Sequence, residues 1–331
     1  MILRWGVLGA ARINRSVLPA IAASKRSRLV ALASRDATRA RESADAFGIE
    51  RVHHSYEALL ADPDVDAVYI PLPNSLHAEW TVRACRAGKH VLCEKPLVLS
   101  MAEVDAVAAA AADTGRVVTE AFMYRHHPQT RRIAQLVREG AVGRIVGIRG
   151  AFTFSLSSPT DVRLDPALGG GSLWDVGCYP VSFARTVMGE EPEEVFGWQV
   201  LSGSGVDETF AGLLRFGSGA LASFDCGFRA PLRTEMEIVG TQGTLRVPCP
   251  FKPGETETVT LVRGAGGDRV EVLDMPGERL YVGEISDMEC SVLDGENPCV
   301  SLEDSRGNTA TLLALLSSAR EGRAVRPSSI S

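Results

Sequence analysis

The chain has 331 residues, which at roughly 150 residues per domain predicts about two domains. It is 45% hydrophobic and 23% charged, a composition that excludes disorder as a description of the whole chain. The net charge is −6 and no run of Lys and Arg occurs, so nucleic acid is not expected as a partner. No apolar run of about 18 residues occurs and no leader precedes the first strand, so no membrane association is expected. The seven cysteines lack CxxC spacing, which predicts reduced thiols in a cytoplasmic protein and no metal site.

The first half of the chain alternates short apolar runs with helical patterns. The runs are typical of buried strands and cover residues 3–8, 29–33, 67–71, 90–94 and 117–121. Between the last two, Ser100 and Glu103 form a capping box that opens an Ala-rich helix. Such βαβ repetition predicts a parallel, doubly wound sheet.

The pattern changes after Gly143, where residues 145–154 again resemble a strand. From Val195 onward, long β-type runs are joined by short turns, which predicts a mostly antiparallel sheet within an α+β domain. Two late helices, one near Gly283 and one from Ser301, complete the chain. The predicted domains are therefore residues 1–122 and residues 123–331.

The first predicted strand leads directly into a degenerate form of the GxGxxG nucleotide-binding turn. Its candidate cofactor contacts are Gly9, Ala11, Arg12 and Ile13. Gly9 can make the tight turn, but Ala11 and Asn14 stand where small residues usually allow a pyrophosphate to approach. On this segment alone, a nucleotide site and a purely structural turn are equally favoured.

The end of the second strand bears on which dinucleotide would fit. A carboxylate that binds the ribose hydroxyls of NAD is expected there, but the residues are Ser34 and Arg35, with Arg39 one turn into the next helix. A hydroxyl and two guanidinium groups suit a 2′-phosphate, which favours NADP over NAD. Two alternatives stay open: the arginines are ordinary solvated charges, or Asp36 accepts a ribose hydroxyl.

Two further motifs follow the fourth and fifth predicted strands, at the carboxyl ends where open α/β sheets bind ligands. The first is Pro71-Leu72-Pro73-Asn74-Ser75-Leu76-His77, and the second is Glu94-Lys95-Pro96. As an isolated tripeptide, the second would be read as a charged turn. Its position after a strand, together with the other two motifs, favours a site.

With these motifs the sequence resembles the glucose–fructose oxidoreductase, inositol dehydrogenase and rhizopine catabolism family (Gfo/Idh/MocA). The resemblance covers nearly the whole chain and continues through residues 120–125, 169–180 and 240–245. It is strongest to the branch of NADP-dependent D-xylose dehydrogenases and dihydrodiol dehydrogenases, in which a Tyr replaces the His of inositol dehydrogenases. The resemblance implies a Rossmann domain and a second domain with an open sheet. It also implies that substrate binds between them over the nicotinamide, and that the sheet forms a homodimer or homotetramer.

The resemblance also implies roles for individual residues. Lys95 matches the catalytic Lys and Tyr179 the acid/base, while Asp175 precedes Tyr179 by what would be one helical turn. The chemistry fits, because a phenol with a pKa near 10 is a poor base unless a nearby ammonium favours the tyrosinate. Asp175 would orient the sugar or the Lys, or would simply be a carboxylate at a helix start.

The remaining candidates are contacts to cofactor or substrate. Pro71, Asn74, His77, Glu94 and Arg125 are expected near the cofactor, and Asp161, Arg163 and Trp174 near the substrate. Structural alternatives are open for several of them: a core position for Trp174, surface charge for Asp161 and Arg163, and a helix-start role for His77.

The sequence therefore predicts an NADP-dependent oxidoreductase that transfers hydride between the nicotinamide and a hydroxyl or carbonyl carbon of a sugar or cyclic diol. A keto-sugar reductase would use the same residues in reverse. Two further functions are compatible with the motifs: a non-catalytic NADP-binding regulator, and a sugar transhydrogenase that retains its cofactor.

Overall fold

The computed structural model describes residues 1–264 and 266–330, and it divides the chain into two compact units. The first unit contains residues 1–126 and 281–305, and the second contains residues 127–280 and 306–331. The described helices are α1 (Asn14–Ala23), α2 (Ala37–Phe47), α3 (Tyr56–Leu60), α4 (His77–Arg86), α5 (Met101–Thr114), α6 (Met123–His126), α7 (Pro128–Arg138), α8 (Cys178–Met188), α9 (Val282–Glu289) and α10 (Leu302–Glu321). None of these described helices is long and apolar enough to cross a bilayer.

The first unit is built on a six-stranded parallel sheet, as predicted. Its strands are β1 (Leu3–Leu8), β2 (Ser27–Ala33), β3 (Arg51–His53), β4 (Ala67–Ile70), β5 (His90–Glu94) and β6 (Val118–Ala121). Their order is β3-β2-β1-β4-β5-β6, with all neighbours parallel. The winding reverses between β1 and β4, which makes the carboxyl ends of these two strands the expected ligand crevice.

Local sequence signals fix the ends of several helices. Ser100 accepts a hydrogen bond from the Glu103 amide at 3.3 Å, and the Glu103 carboxylate accepts one from the Leu99 amide at 2.7 Å. Helix α5 then ends at Gly115, whose φ of +64° lies in the left-handed region that glycine adopts without a Cβ clash. The predicted capping box is thus confirmed.

Helix α9 belongs to the first unit, although the predicted boundary assigned every residue after 122 to the second domain. Ile285 and Met288 are 1% and 0% exposed and join a hydrophobic core that contains Trp5 and Tyr69. Burial of these side chains holds the segment 281–305 in the first unit. Periodicity predicted the helix itself but carried no information about which sheet it would cover.

The second unit is built on an eight-stranded sheet. Its strands are β7 (Ile145–Thr153), β8 (Pro192–Leu201), β9 (Asp207–Phe216), β10 (Leu221–Gly227), β11 (Arg233–Gly240), β12 (Gly243–Val247), β13 (Glu257–Arg263) and β14 (Arg269–Met275). The order is β14-β13-β12-β11-β7-β10-β9-β8. Among the described strands of this sheet only β7 and β10 pair in parallel, so the predicted open and mostly antiparallel sheet is confirmed.

Candidate active site

The turn after β1 has the geometry of a nucleotide-binding turn despite its degenerate sequence. Gly9 has a φ of +127°, and a Cβ there would lie 3.2 Å from Leu72 Cδ2, so only glycine fits without strain. Asn14 is buried, and its amide donates to the Gly9 carbonyl at 2.9 Å. The side chain that departs from the GxGxxG pattern therefore stabilises the turn.

The amino end of α1 follows this turn and is open to an anion. Among the described residues no side chain caps α1, and the first turn of this helix contains no acidic residue. Arg12 is exposed, while Ala11 and Ile13 are partly exposed. A helix start of this kind offers backbone N–H groups and the positive end of the helix dipole to a phosphate.

The end of β2 bears on one alternative that the sequence left open. The Asp36 carboxylate caps α2 by accepting the Arg39 amide at 3.0 Å, so it already serves the helix. Ser34 is buried and its hydroxyl accepts the Asp36 amide at 3.3 Å. Arg35 and Arg39 are both exposed, and neither forms an ion pair with a described residue. Two cations and a capped carboxylate suit a 2′-phosphate better than a free ribose hydroxyl.

His77 holds the loops that follow β4 and β5. It is 0% exposed, and its two ring nitrogens lie 2.7 Å from the carbonyl oxygens of Leu72 and Pro96. Both nitrogens are therefore engaged by the chain itself. We assign His77 to the support of the two loops rather than to direct contact with a cofactor. Its neighbours Pro71 and Asn74 are buried and partly buried, respectively.

Lys95 stands in a loop that is fixed on both sides. The Lys95–Pro96 peptide bond is cis, and the carboxylate of the buried Glu120 accepts the Leu97 amide at 2.9 Å. On the other side, Glu94 accepts the Tyr69 hydroxyl at 2.7 Å. These contacts leave the Lys95 side chain partly exposed at the carboxyl edge of the sheet. The sequence marked Glu120 only as part of a motif, and its anchoring role follows from a contact 23 residues away.

Arg125, expected near the cofactor, pairs with a residue of the same unit. Its Nη1 donates to the Asp304 carboxylate at 2.8 Å, and the Arg125 side chain is 10% exposed. Its guanidinium is thus positioned by α10, whose start is capped by Ser301, because the Ser301 hydroxyl accepts a bond from the Asp304 amide at 3.1 Å.

In the second unit, Asp161, Arg163 and Asp175 form one charged cluster. Arg163 Nε donates to Asp175 Oδ2 at 2.7 Å, and its Nη1 donates to Asp161 Oδ1 at 3.2 Å. Asp161 also caps the short 3₁₀ turn at Val162–Leu164. The structure therefore brings together three residues that the sequence singled out separately, and their charges are paired rather than left as isolated surface groups.

Tyr179 lies near the start of α8 among aromatic rings. It is 4% exposed, and its ring centroid lies 5.3 Å from that of Phe152 and 5.5 Å from that of Phe251. The preceding residues Leu173–Gly177 form a π-helical turn. The argument that one α-helical turn puts Asp175 and Tyr179 on one face therefore does not apply, because a π turn spaces side chains differently. Trp174 is 7% exposed, as its core alternative predicted.

Asp207 fixes the start of this turn and was missed by the sequence analysis. Its Oδ2 accepts the Ser172 hydroxyl at 2.6 Å and the Leu173 amide at 2.7 Å. Burial raises the pKa of Asp207 to about 6. A carboxylate 35 residues downstream of Ser172 gives no local signal, so only the folded β9 strand reveals the contact.

Comparison with known proteins agrees with this arrangement. Residues 3–122 match the model of an oxidoreductase family with an NAD-binding Rossmann fold, and residues 130–246 match the GFO/IDH/MocA C-terminal domain. A D-xylose 1-dehydrogenase (NADP(+)) from Haloferax volcanii is 41% identical over 98% of this chain and 99% of its own length. A trans-1,2-dihydrobenzene-1,2-diol dehydrogenase from Danio rerio is 35% identical over 76% of this chain and 77% of its own length.

A solved structure extends the similarity to three dimensions. KijD10, a 3-ketoreductase from Actinomadura kijaniata crystallised with NADP and TDP-benzene, has 34% identity and a TM-score of 0.91, and covers 96% of this chain and 98% of its own. The chain belongs to the Gfo/Idh/MocA family of oxidoreductases. The family and the fold expected from the sequence are both confirmed. The Gly9 turn, the open start of α1 and the two exposed arginines after β2 fit the dinucleotide that the family binds.

Proposed function

We propose that this protein is an NADP-dependent oxidoreductase that transfers hydride between nicotinamide C4 and a hydroxyl or carbonyl carbon of a sugar or cyclic diol. The observation that carries the cofactor assignment is the end of β2, where Asp36 caps α2 and Arg35 and Arg39 form no ion pair with a described residue. The substrate class is supported by the 41% identity to the Haloferax xylose dehydrogenase and the 35% identity to the dihydrodiol dehydrogenase.

Lys95 and Tyr179 are the proposed catalytic residues. Bound NADP supplies or accepts the hydride. Oxidation of an alcohol also requires removal of its hydroxyl proton, and we assign this step to the Tyr179 phenolate oxygen, which takes up the proton and becomes a hydroxyl. The Lys95 ammonium would donate a hydrogen bond to the same substrate oxygen and stabilise the charge that develops there. We also propose that the cofactor is contacted by Pro71, Asn74 and Glu94.

Asp175 is proposed to orient the substrate rather than to exchange protons. Its carboxylate is held in place by Arg163 and retains lone pairs that can accept from sugar hydroxyls. Trp174 is buried, so it would shape the wall of a substrate site from behind. Arg163 and Asp161 would then act through the position of Asp175.

The direct test compares the two cofactors. Purified protein is titrated with NADPH and with NADH while tryptophan fluorescence is recorded, and a panel of sugars and diols is then screened at 340 nm. Tight NADPH binding with NADP⁺-dependent oxidation of a panel member is expected. Binding of neither cofactor, or binding without turnover of any panel member, would contradict the proposal.

Reduction of a keto-sugar is the second candidate and is supported by the similarity to KijD10, a 3-ketoreductase. The two directions use the same residues, so they are separated by comparing the rates with sugar plus NADP⁺ and with keto-sugar plus NADPH.

An aldose-aldose oxidoreductase from Caulobacter crescentus is also similar, with 28% identity and a TM-score of 0.90. Transhydrogenation would be recognised by nicotinamide absorbance in the purified protein.

We also propose that the protein is a cytoplasmic homodimer or homotetramer that associates through the large sheet. Register places Phe196, Leu213, Ser223, Arg149, Glu237 and Arg246 in one row across six adjacent strands. Trp198, Leu213 and Leu221 are 62%, 48% and 56% exposed on this sheet. Towards its middle, Arg246 pairs with Glu237 at 3.1 Å and Arg233 with Asp225 at 2.8 Å. Apolar side chains beside compensated charges suit a self-complementary surface.

Light scattering during gel filtration tests the association. The double variant Trp198→Glu/Leu213→Glu is expected to elute as a monomer, because two buried charges would oppose the interface. Ile2→Glu is the control, since Ile2 is 56% exposed but lies in the first unit. A monomeric parent protein, or an unchanged oligomer in the double variant, would contradict the proposal.

A further inference from the structure

Glu284, in the first turn of α9, is a buried carboxyl group with incomplete hydrogen bonding. It is 1% exposed, and neither of its carboxyl oxygens has a hydrogen-bond partner among the described residues. By contrast Glu289, at the end of the same helix, is 4% exposed but accepts bonds from the hydroxyls of Ser24 and Ser27. Leaving a buried carboxyl without partners costs folding free energy, so Glu284 requires a separate explanation.

The groups that face Glu284 are acidic or phenolic. They are Glu94 at the end of β5, Tyr69 from β4, and Tyr281 and Asp287 on α9. The Tyr69 hydroxyl already donates to Glu94. Burial, and then the charges of Glu94 and Asp287, raise the pKa of Glu284 well above its ordinary value. Burial without hydrogen-bond partners, next to other acidic groups, therefore favours the protonated form of Glu284.

Two basic residues stand close to these elements: Lys95 directly follows Glu94 in the chain, and His126 lies near Asp287. His126 of α6 lies 3.8 Å from Asp287, measured from Nδ1 to Oδ2, and is 1% exposed. Asp287 itself accepts the Cys299 amide at 3.1 Å. Protonation of the Glu94 and Glu284 carboxyl groups therefore depends on the charge in their surroundings.

This pair lies at the edge of the sheet where a cofactor is expected. Glu94 is the last residue of β5, and the winding of the sheet reverses between β1 and β4, next to β5. Ligands of open α/β sheets bind outside the carboxyl ends of the strands at this reversal. A positive charge that arrived there would favour ionisation of the second carboxyl group, whereas a neutral group would not.

We propose that the Glu94 and Glu284 pair couples cofactor redox state to a proton: the pair holds one proton in the free protein and releases it to solvent when oxidised, cationic nicotinamide binds. Reduced nicotinamide has no ring charge and leaves the pair protonated. Glu284 thereby acts as a positioning residue through Glu94 and favours the oxidised cofactor as pH rises. The inference rests on the proposed function, because it requires a nicotinamide dinucleotide at this edge.

The test measures the dissociation constants of NADP⁺ and NADPH by fluorescence titration between pH 6 and pH 9. The ratio of the two constants is the readout, because groups that respond equally to both cofactors, such as the 2′-phosphate, cancel. In the parent protein, the ratio Kd(NADP⁺)/Kd(NADPH) is expected to fall as pH rises, with a limit of about tenfold per pH unit for one proton. In Glu284→Gln the ratio is expected to be independent of pH.

Glu289→Gln is the matched control, because it removes a buried carboxylate from the same helix but not from the pair, and it should keep the parent slope. A second measurement needs no variant: calorimetric titration in buffers of different ionisation enthalpy should show about one more proton released with NADP⁺ than with NADPH. A ratio independent of pH in the parent protein, or a parent slope in Glu284→Gln, would overturn the inference while leaving tight cofactor binding intact. Failure of both cofactors to bind would overturn the proposed function as well.

Discussion

Arg163 donates from Nε to Oδ2 of Asp175 across 2.7 Å, and this bond joins the 3₁₀ turn at Val162–Leu164 to the π-helical turn at Leu173–Gly177. The Arg163 side chain is 32% exposed and that of Asp175 is 16% exposed, so the pair stands at the boundary of solvent. The π-helical turn ends immediately before α8, which carries Tyr179. An arginine in an irregular loop thus fixes a carboxylate just ahead of the proposed acid/base.

Replacing Arg163 should weaken substrate handling without affecting the cofactor. Arg163→Gln removes the guanidinium that holds the Asp175 carboxylate in place. Because the carboxylate would then be misplaced, kcat/KM for the sugar or diol is expected to fall by about 10- to 100-fold. Steady-state kinetics and an NADPH titration provide the two measurements. The control is Arg229→Gln, since Arg229 is 69% exposed and pairs with Glu208 at the surface. Equal losses in both variants would refute a specific role for Arg163.

Variants of the proposed catalytic residues should lose turnover while they still bind the cofactor. Lys95→Ala and Tyr179→Phe are each expected to lower kcat by at least about 100-fold, because each removes a group that handles the substrate oxygen. The Kd for NADPH should stay within a few-fold of the parent value in Tyr179→Phe. Near-normal turnover of both variants would exclude the assigned mechanism.

The arginines after β2 should determine cofactor preference. Arg35→Ala and Arg39→Ala are each expected to raise the Kd for NADPH by about tenfold, the effect of losing one charge-assisted contact to phosphate, and to leave the Kd for NADH unchanged. Arg41→Ala provides the control, since Arg41 is exposed on the same helix. A parallel loss of NADH affinity would show instead that the substitutions disturb α2.

Asp207 should make the stability of the second unit depend on pH. Burial raises its pKa from an ordinary value near 3.8 to about 6 in the folded state, so its contribution to stability is greatest in acid and is lost as pH rises from about 4 to about 6. Asp207→Asn keeps an acceptor for Ser172 and Leu173 but cannot titrate. The difference in unfolding free energy between parent and variant should therefore shift by about 2 kcal/mol between pH 4.5 and pH 7, in favour of the variant at pH 7.

Urea unfolding at the two pH values measures this difference. Ser317→Ala is a suitable control, because the Ser317 hydroxyl donates to Glu321 on the same helix, α10, and is remote in sequence from the Asp207 contacts. A difference between parent and Asp207→Asn that does not change with pH would show that Asp207 keeps its ordinary titration in the folded protein.

Signals that act over a few residues were readable in the sequence. The Ser100 and Glu103 capping box, the turn glycine at position 9 and the alternation of the late strands each follow from local geometry, and the structure contains all of them. The same holds for the motifs at the strand ends, because a parallel sheet gathers its carboxyl ends along one edge.

Contacts that span long stretches of chain were not readable. Glu120 anchors Leu97, Asp207 anchors Ser172 and Leu173, and Asp304 holds Arg125, each across 23 or more residues. Such carboxylates have no periodic or motif signature, because their partners are chosen by the fold. The π-helical turn at Leu173–Gly177 could not be predicted for a related reason. Gly177 packs closely against Cys226, and this contact exists only once strand β10 has its place in the fold.

Residues 281–305 pack in the first unit, so part of this unit is synthesised after most of the second unit. Ile285 and Met288 complete a core whose other buried members precede residue 122, so this core is complete only when residue 288 has been synthesised. A nascent chain of 126 residues would expose the apolar surface that α9 covers, and it would depend on chaperones until nearly all the remaining sequence had emerged. Folding of the amino-terminal unit is therefore expected to be completed only after residue 288 has been synthesised, and a truncated unit is expected to expose the apolar surface that α9 covers.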